Sequence, residues 1–139
     1  MTRRYLLDAG PAQDFVQHRS PTFERVFSVL RPRVLAGICY PTLAELRGGF
    51  EASALAARNL KSLQRSFRWL KRWPFDLDAV KTYGEIYGQL HRIGRLIGHI
   101  DIQVAAVALA MGNTTVVTYD SDLSVVPGLK VENWLKAKS

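Results

Sequence analysis

Residues 101–120 read Asp-Ile-Gln-Val-Ala-Ala-Val-Ala-Leu-Ala-Met-Gly-Asn-Thr-Thr-Val-Val-Thr-Tyr-Asp. From Ile102 to Met111 the run is apolar nearly all round, which predicts a centrally buried helix rather than one with a solvated face. Gly112 ends that helix. The β-branched run over 114–118 then predicts a strand buried on both faces, and such strands belong to parallel sheets. Asp101 opens the helix and Asp120 directly follows the strand.

Working outward, the elements alternate. Residues 4–7 form a short apolar strand, after which Gly10-Pro11 opens a helix with proline in its favoured first turn. Residues 34–39 predict a second strand, followed by a helix beginning near Pro41-Thr42. Trp73-Pro74-Phe75 reads as an extended break, because proline restricts the residue before it. Residues 78–93 place Val80, Tyr83, Ile86, Tyr87 and Leu90 at helical spacing. Pro127-Gly128 makes a turn, and residues 129–134 alternate as a last strand. Strands separated by helices predict an α/β fold, a three-layer α/β/α sandwich around a central, mostly parallel sheet. The reading is of one domain over 1–139, without repeats or linkers.

Composition narrows the function class. With 47% hydrophobic and 22% charged residues, disordered and collagen-like chains are excluded. No run reads as a membrane span, and the Met-Thr-Arg-Arg start leads into no signal-peptide core. The single cysteine, Cys39, falls in a predicted buried strand and excludes both an internal disulfide framework and a cysteine-built zinc site. The expectation is a cytoplasmic protein with no membrane partner. Nineteen Lys and Arg against 12 Asp and Glu give a net charge of +7, which favours a polyanionic partner, nucleic acid or an acidic protein segment.

Between residues 52 and 75 there are six Lys or Arg and no acid. Arg58, Lys61, Arg65, Arg68 and Arg72 step by three and four, predicting one basic stripe on a helix. A solvated face and a polyanion grip are both consistent with it. Trp69 and Trp73 suit either base stacking or packing. Arg95 suits either a plain surface role or a phosphate contact. His99 lies two residues before Asp101, while His18 and His91 have no neighbours suited to a zinc site or a Ser-His-Asp triad.

In a parallel sheet, strand C-termini and helix N-termini share one edge, where ligands bind. Asp8, Glu45, Asp101 and Asp120 all map to that edge. Each has a purely structural alternative: a turn residue for Asp8, a capping box with Thr42 for Glu45, dipole compensation for Asp101, and a turn for Asp120. Together they are four carboxylates that raise one another's pKa unless a cation neutralises them. Hard oxygen ligands suit Mg²⁺ or Mn²⁺, and that chemistry is metal-assisted phosphodiester hydrolysis.

These residues also carry a resemblance. Tyr5-Leu6-Leu7-Asp8-Ala9-Gly10-Pro11, Thr42-Leu43-Ala44-Glu45-Leu46, Ile97-Gly98-His99-Ile100-Asp101 with Ala105-Ala106, and Val117-Thr118-Tyr119-Asp120 with Val126-Pro127-Gly128-Leu129 and Val131-Glu132-Asn133-Trp134 resemble the PIN domain nearly end to end. They are most similar to the small ribonuclease toxins of VapBC-type toxin–antitoxin pairs. The resemblance implies an Mg²⁺- or Mn²⁺-dependent endoribonuclease, a homodimer held inactive by a cognate antitoxin. It implies Asp8, Glu45 and Asp101 as core metal-binding acids, Asp120 as the fourth with Asp122 as its substitute, and Thr118 as an ordering hydroxyl. The basic set, Arg58, Lys61, Arg65, Arg68, Arg72 and Arg95, would then face RNA. Ala9 stands where the family often has Ser or Thr, Ile100 where a polar residue is common, and Leu123 where an aromatic is usual. A module of the same fold that binds without cleaving is the second reading. A phosphatase or receiver-like α/β domain is the third, opposed by the absence of a second aspartate two residues after Asp8.

Overall fold

The computed structural model describes residues 1–136. The elements run β1 (Arg3–Leu7), α1 (Ala9–Val16), α2 (Thr22–Val29), β2 (Val34–Cys39), α3 (Tyr40–Glu51), α4 (Ala56–Ser66), β3 (Lys71–Trp73), α5 (Leu77–Arg92), α6 (His99–Met111), β4 (Thr114–Val117) and β5 (Lys130–Glu132), with a 3₁₀ turn over Ser121–Val125. All four strand pairings are parallel, in the order β3-β2-β1-β4-β5. The sandwich predicted from the sequence is therefore the observed fold.

Strand alternation divides the core into two layers. Tyr5 and Leu7 of β1, Ala36 and Ile38 of β2 and Val117 of β4 pack with Ala12, Phe15, Val26, Phe50 and Leu63 from α1 to α4. Leu6 and Val116 face the other way, against Ile86 and Leu90 of α5 and the buried residues of α6. Helix α6 is buried through the first two turns of its apolar run, at Ile102, Val104, Ala105, Ala106, Val107 and Ala108, and emerges at Ala110. The turn into β4 reverses through two left-handed residues, Gly112 (φ 70°) and Asn113 (φ 48°), which is why Gly-Asn stands there.

Four expectations change. Residues 71–73, where Arg72 is expected on the basic helix and Trp73 in the extended break, form edge strand β3, which Pro74 terminates because it has no N–H to donate. Gly37 makes that pairing possible: a Cβ there would lie 2.6 Å from the Lys71 carbonyl oxygen. Helix α2 was not foreseen between the first helix and β2. The last strand is shorter than 129–134. The basic stripe does not lie on one helix, since α4 ends at Ser66. Arg72, on β3, turns back and donates to the carbonyls of Phe67 and Leu70, both at 3.0 Å, capping the turn that breaks the stripe. No helix among the described residues is long and apolar enough to cross a membrane.

Candidate metal site at the sheet edge

The strand order turns back at β1: the chain runs outward through β2 and β3, then returns to place β4 on the other flank. Crevices form at such a switch point, outside the carboxyl ends of the strands. Asp8 and Asp120 follow the two strands that flank it. The Asp8 N–H donates to Val117 O at 2.9 Å, so the ladder runs up to the acid itself. An open cleft of about 440 Å³ lies here, lined by Asp8, Gly10, Thr118, Tyr119, Asp120 and Ser121.

Asp8 is buried, and its carboxylate accepts a 2.9 Å bond from the Thr118 hydroxyl. The same hydroxyl accepts from the Asp120 N–H at 3.1 Å. One side chain therefore ties the acid after β1 to the acid after β4. Asp120 in turn accepts from the Asp122 N–H at 2.9 Å, heading the 3₁₀ turn. That bond is the local turn role open to Asp120 on sequence alone, and it also brings Asp122 into the site. One carboxylate oxygen each from Asp101, Asp120 and Asp122 lie within 4.8 Å of one another. Asp122, expected only as a substitute for Asp120, thus stands beside it.

Helix α6 supplies Asp101 from its first turn, after Gly98 at the N-cap. Burial pushes the Asp101 carboxyl up to about 6, helped by the charges of Asp8, Asp120, Asp122 and Glu45. Glu45, exposed on α3, is also raised, by partial burial and then by Asp8. The capping box open to Thr42 and Glu45 does not form: the Thr42 hydroxyl meets the Cys39 thiol at 3.5 Å, and no side-chain bond caps α3. Burial raises the Cys39 thiol, which makes it inert packing. Five carboxylates thus share one field, with no Lys or Arg ion-paired to any of them among the described residues. Uncompensated hard oxygens at this spacing fit a hard divalent cation such as Mg²⁺ or Mn²⁺.

Tyr119 has a role beside the site that its place after a strand does not signal. Its hydroxyl bonds Asp14 at 2.7 Å and Thr22 at 2.5 Å, and burial pushes it up to about 12. Its ring lies over Gly10, where a Cβ would come within 2.9 Å. This clamp fastens the loop that carries Asp120 onto α1 and α2. The glycine beside Pro11 was the only local signal for it.

The basic residues separate. Arg58, Lys61 and Arg65 line one cleft between the α1–α2 turn and α4, whereas Arg68 and Arg72 line a hollow along β3 with Tyr40 and Trp69. Arg68 lies over the Trp69 ring at 5.7 Å and Arg72 over Phe67 at 4.4 Å. Arg95 is exposed ahead of α6, and the His99 ring bonds the Tyr83 hydroxyl at 2.8 Å.

Comparison with known proteins identifies the family and the fold. The PIN domain model matches residues 5–129. The tRNA(fMet)-specific endonuclease VapC of Shigella flexneri is 31% identical over 131 residues, covering 94% of this chain and 98% of that protein. Ribonuclease VapC2 of Rickettsia felis is 26% identical over 132 residues, covering 95% and 98%. The crystal structure of VapBC2 from Rickettsia felis, bound to a promoter DNA fragment, superposes with a TM-score of 0.85 at 26% identity, covering 94% and 98%. With the family model over most of the chain, a 31% identical relative along nearly its whole length and the superposed fold, the chain belongs to the PIN domain family, among the VapC ribonuclease toxins.

Proposed function

We propose that the chain is the ribonuclease toxin of a VapBC-type pair, an endoribonuclease that cleaves RNA phosphodiester bonds with Mg²⁺ or Mn²⁺. The observation that carries this reading is the convergence of Asp101, Asp120 and Asp122 within 4.8 Å, beside Asp8, at the switch point of the sheet. Asp8, Glu45, Asp101 and Asp120, with Asp122, would hold the cation. A bound divalent ion makes water a better nucleophile at neutral pH and neutralises charge on the phosphoryl oxygens. The chain's own residues do the positioning. Thr118 fixes the Asp8 carboxylate and the Asp120 backbone in one register. Ala9 offers no hydroxyl, and the hydroxyl bonded to Asp8 is that of Thr118. The Glu45 carboxylate forms no side-chain hydrogen bond or ion pair among the described residues and lines a neighbouring hollow with Ala9, outside the trio of Asp101, Asp120 and Asp122.

A small antitoxin protein and a second copy of the chain are the partners this reading implies, acting in the cytoplasm. Its test uses purified RNA. The wild type should cleave it internally with Mn²⁺ and not with EDTA, while Asp8→Asn and Asp101→Asn should be inactive. RNA binding without cleavage, or cleavage that survives both substitutions, overturns the reading.

A further inference from the structure

The cleft between the α1–α2 turn and α4 has a volume of about 370 Å³, and its cations are Arg19, Arg58, Lys61 and Arg65. Arg19 comes from the α1–α2 turn, so the cleft gathers cations from two separate parts of the chain. Arg19 is ion-paired to Asp14 at 3.9 Å. Among the described residues Arg58, Lys61 and Arg65 form no ion pair, and no acid lines the cleft. Three unpaired cations brought together, with Arg19 beside them, repel one another and need an anion.

A second cleft, of about 310 Å³, begins at Ala9 and Glu45 beside the edge acids. It shares Gln17 and Asn59 with the basic cleft, and these two amides bond each other at 3.5 Å where the clefts meet. The two hollows therefore form one track, from the carboxylate edge over an amide saddle into a cationic trough. The amides offer both donors and acceptors, which suit ribose hydroxyls and bases, while the trough suits phosphates.

We infer that this track binds a single RNA strand, with the phosphates on one side of the cleaved bond held by Arg58, Lys61, Arg65 and Arg19. The inference rests on the ribonuclease reading and adds where the strand lies. It separates the cleft arginines from Arg68 and Arg72, whose guanidiniums are engaged by Trp69, Phe67 and backbone carbonyls.

The test is equilibrium binding of a fluorescein-labelled single-stranded oligouridylate in EDTA, where cleavage cannot interfere, over a series of salt concentrations. Each phosphate contact on a single strand contributes about 0.7 to the slope of log affinity against log salt. Arg58→Gln combined with Arg65→Gln should make that slope shallower by about 1.4, and Arg58→Lys with Arg65→Lys should restore it. Arg68→Gln should leave it unchanged. A slope unaltered by the paired glutamines, or reduced equally by Arg68→Gln, overturns the inference. So does an oligoglutamate peptide that loses binding to the paired variant while RNA does not, since the cleft would then serve an acidic protein. Failure here is distinguishable from failure of the ribonuclease reading. Cleavage with Mn²⁺ by a variant of unchanged slope sinks the track alone, whereas an altered slope without any cleavage by the wild type sinks the ribonuclease alone.

Discussion

Replacing Asp101 by Asn should stabilise the metal-free protein, although it removes a residue placed in the metal site. The carboxyl is pushed up to about 6 from an ordinary 3.8, by burial first and then by four neighbouring carboxylates. Each unit corresponds to about 1.4 kcal/mol, so the ceiling on the cost of charging Asp101 is about 3 kcal/mol. Solvent screening at this half-exposed position lowers the cost to about 1.5 kcal/mol. Losing the favourable interaction of a carboxylate with the amino end of α6 takes back about 0.5 kcal/mol. The net gain is about 1 kcal/mol, or about 4 °C in Tm for a chain of this size. The sign follows from linkage. A folded-state pKa raised above the unfolded one gives a contribution fully present below about pH 4 and lost as pH rises through about 6. Thermal unfolding in EDTA, followed by circular dichroism, should therefore show Asp101→Asn more stable than wild type at pH 8 and equal to it near pH 4. Adding Mn²⁺ at pH 8 should reverse the order, because only a protein that binds the ion gains from it. Destabilisation by Asp101→Asn at pH 8 in EDTA, or a difference independent of pH, would refute the reasoning.

Three further outcomes follow from the bonds around the site. Thr118→Val leaves Asp8 without its buried donor and the Asp120 N–H without its acceptor; it should cost about 1–3 kcal/mol by urea unfolding and weaken Mn²⁺ binding about 10- to 100-fold by calorimetry. Tyr119→Phe keeps the ring over Gly10 but strips the bonds to Asp14 and Thr22; it should cost about 1–2 kcal/mol, with faster amide exchange in the Asp120–Asp122 loop as the readout. Gly37→Ala drives a Cβ into the Lys71 carbonyl; it should separate β3 from β2 and lower stability by about 2 kcal/mol or more while leaving Mn²⁺ affinity at its wild-type value.

The parts of this fold that are legible in the sequence are those most deeply buried. The run 101–120 can be read because most of α6 from Ile102 to Ala108 and all of β4 are buried, so composition alone gives both their type and their place. Edge strand β3 was illegible for the opposite reason: Lys71 and Arg72 are exposed and only three residues pair. Helix α2 mixes charges with Phe23, Val26 and Phe27 over only two turns, too short for its periodicity to stand out. The basic stripe failed because spacing cannot reveal a helix end imposed by a guanidinium from the next strand. At the site, Asp8, Asp101 and Asp120 were legible from their positions at element ends. The part of Asp122 was not, because it depends on the 3₁₀ turn that curls back onto Asp120. Tyr119 looked like any other aromatic after a strand until its hydroxyl partners, 97 and 105 residues away, were known.

If the edge carboxylates act as one cation site, calorimetric titration of Mn²⁺ into the RNA-free protein will detect it. The wild type should bind the ion, and Asp101→Asn and Asp120→Asn should each bind about tenfold more weakly or worse. Wild-type affinity in both variants, or no Mn²⁺ binding by the wild type at all, would contradict it.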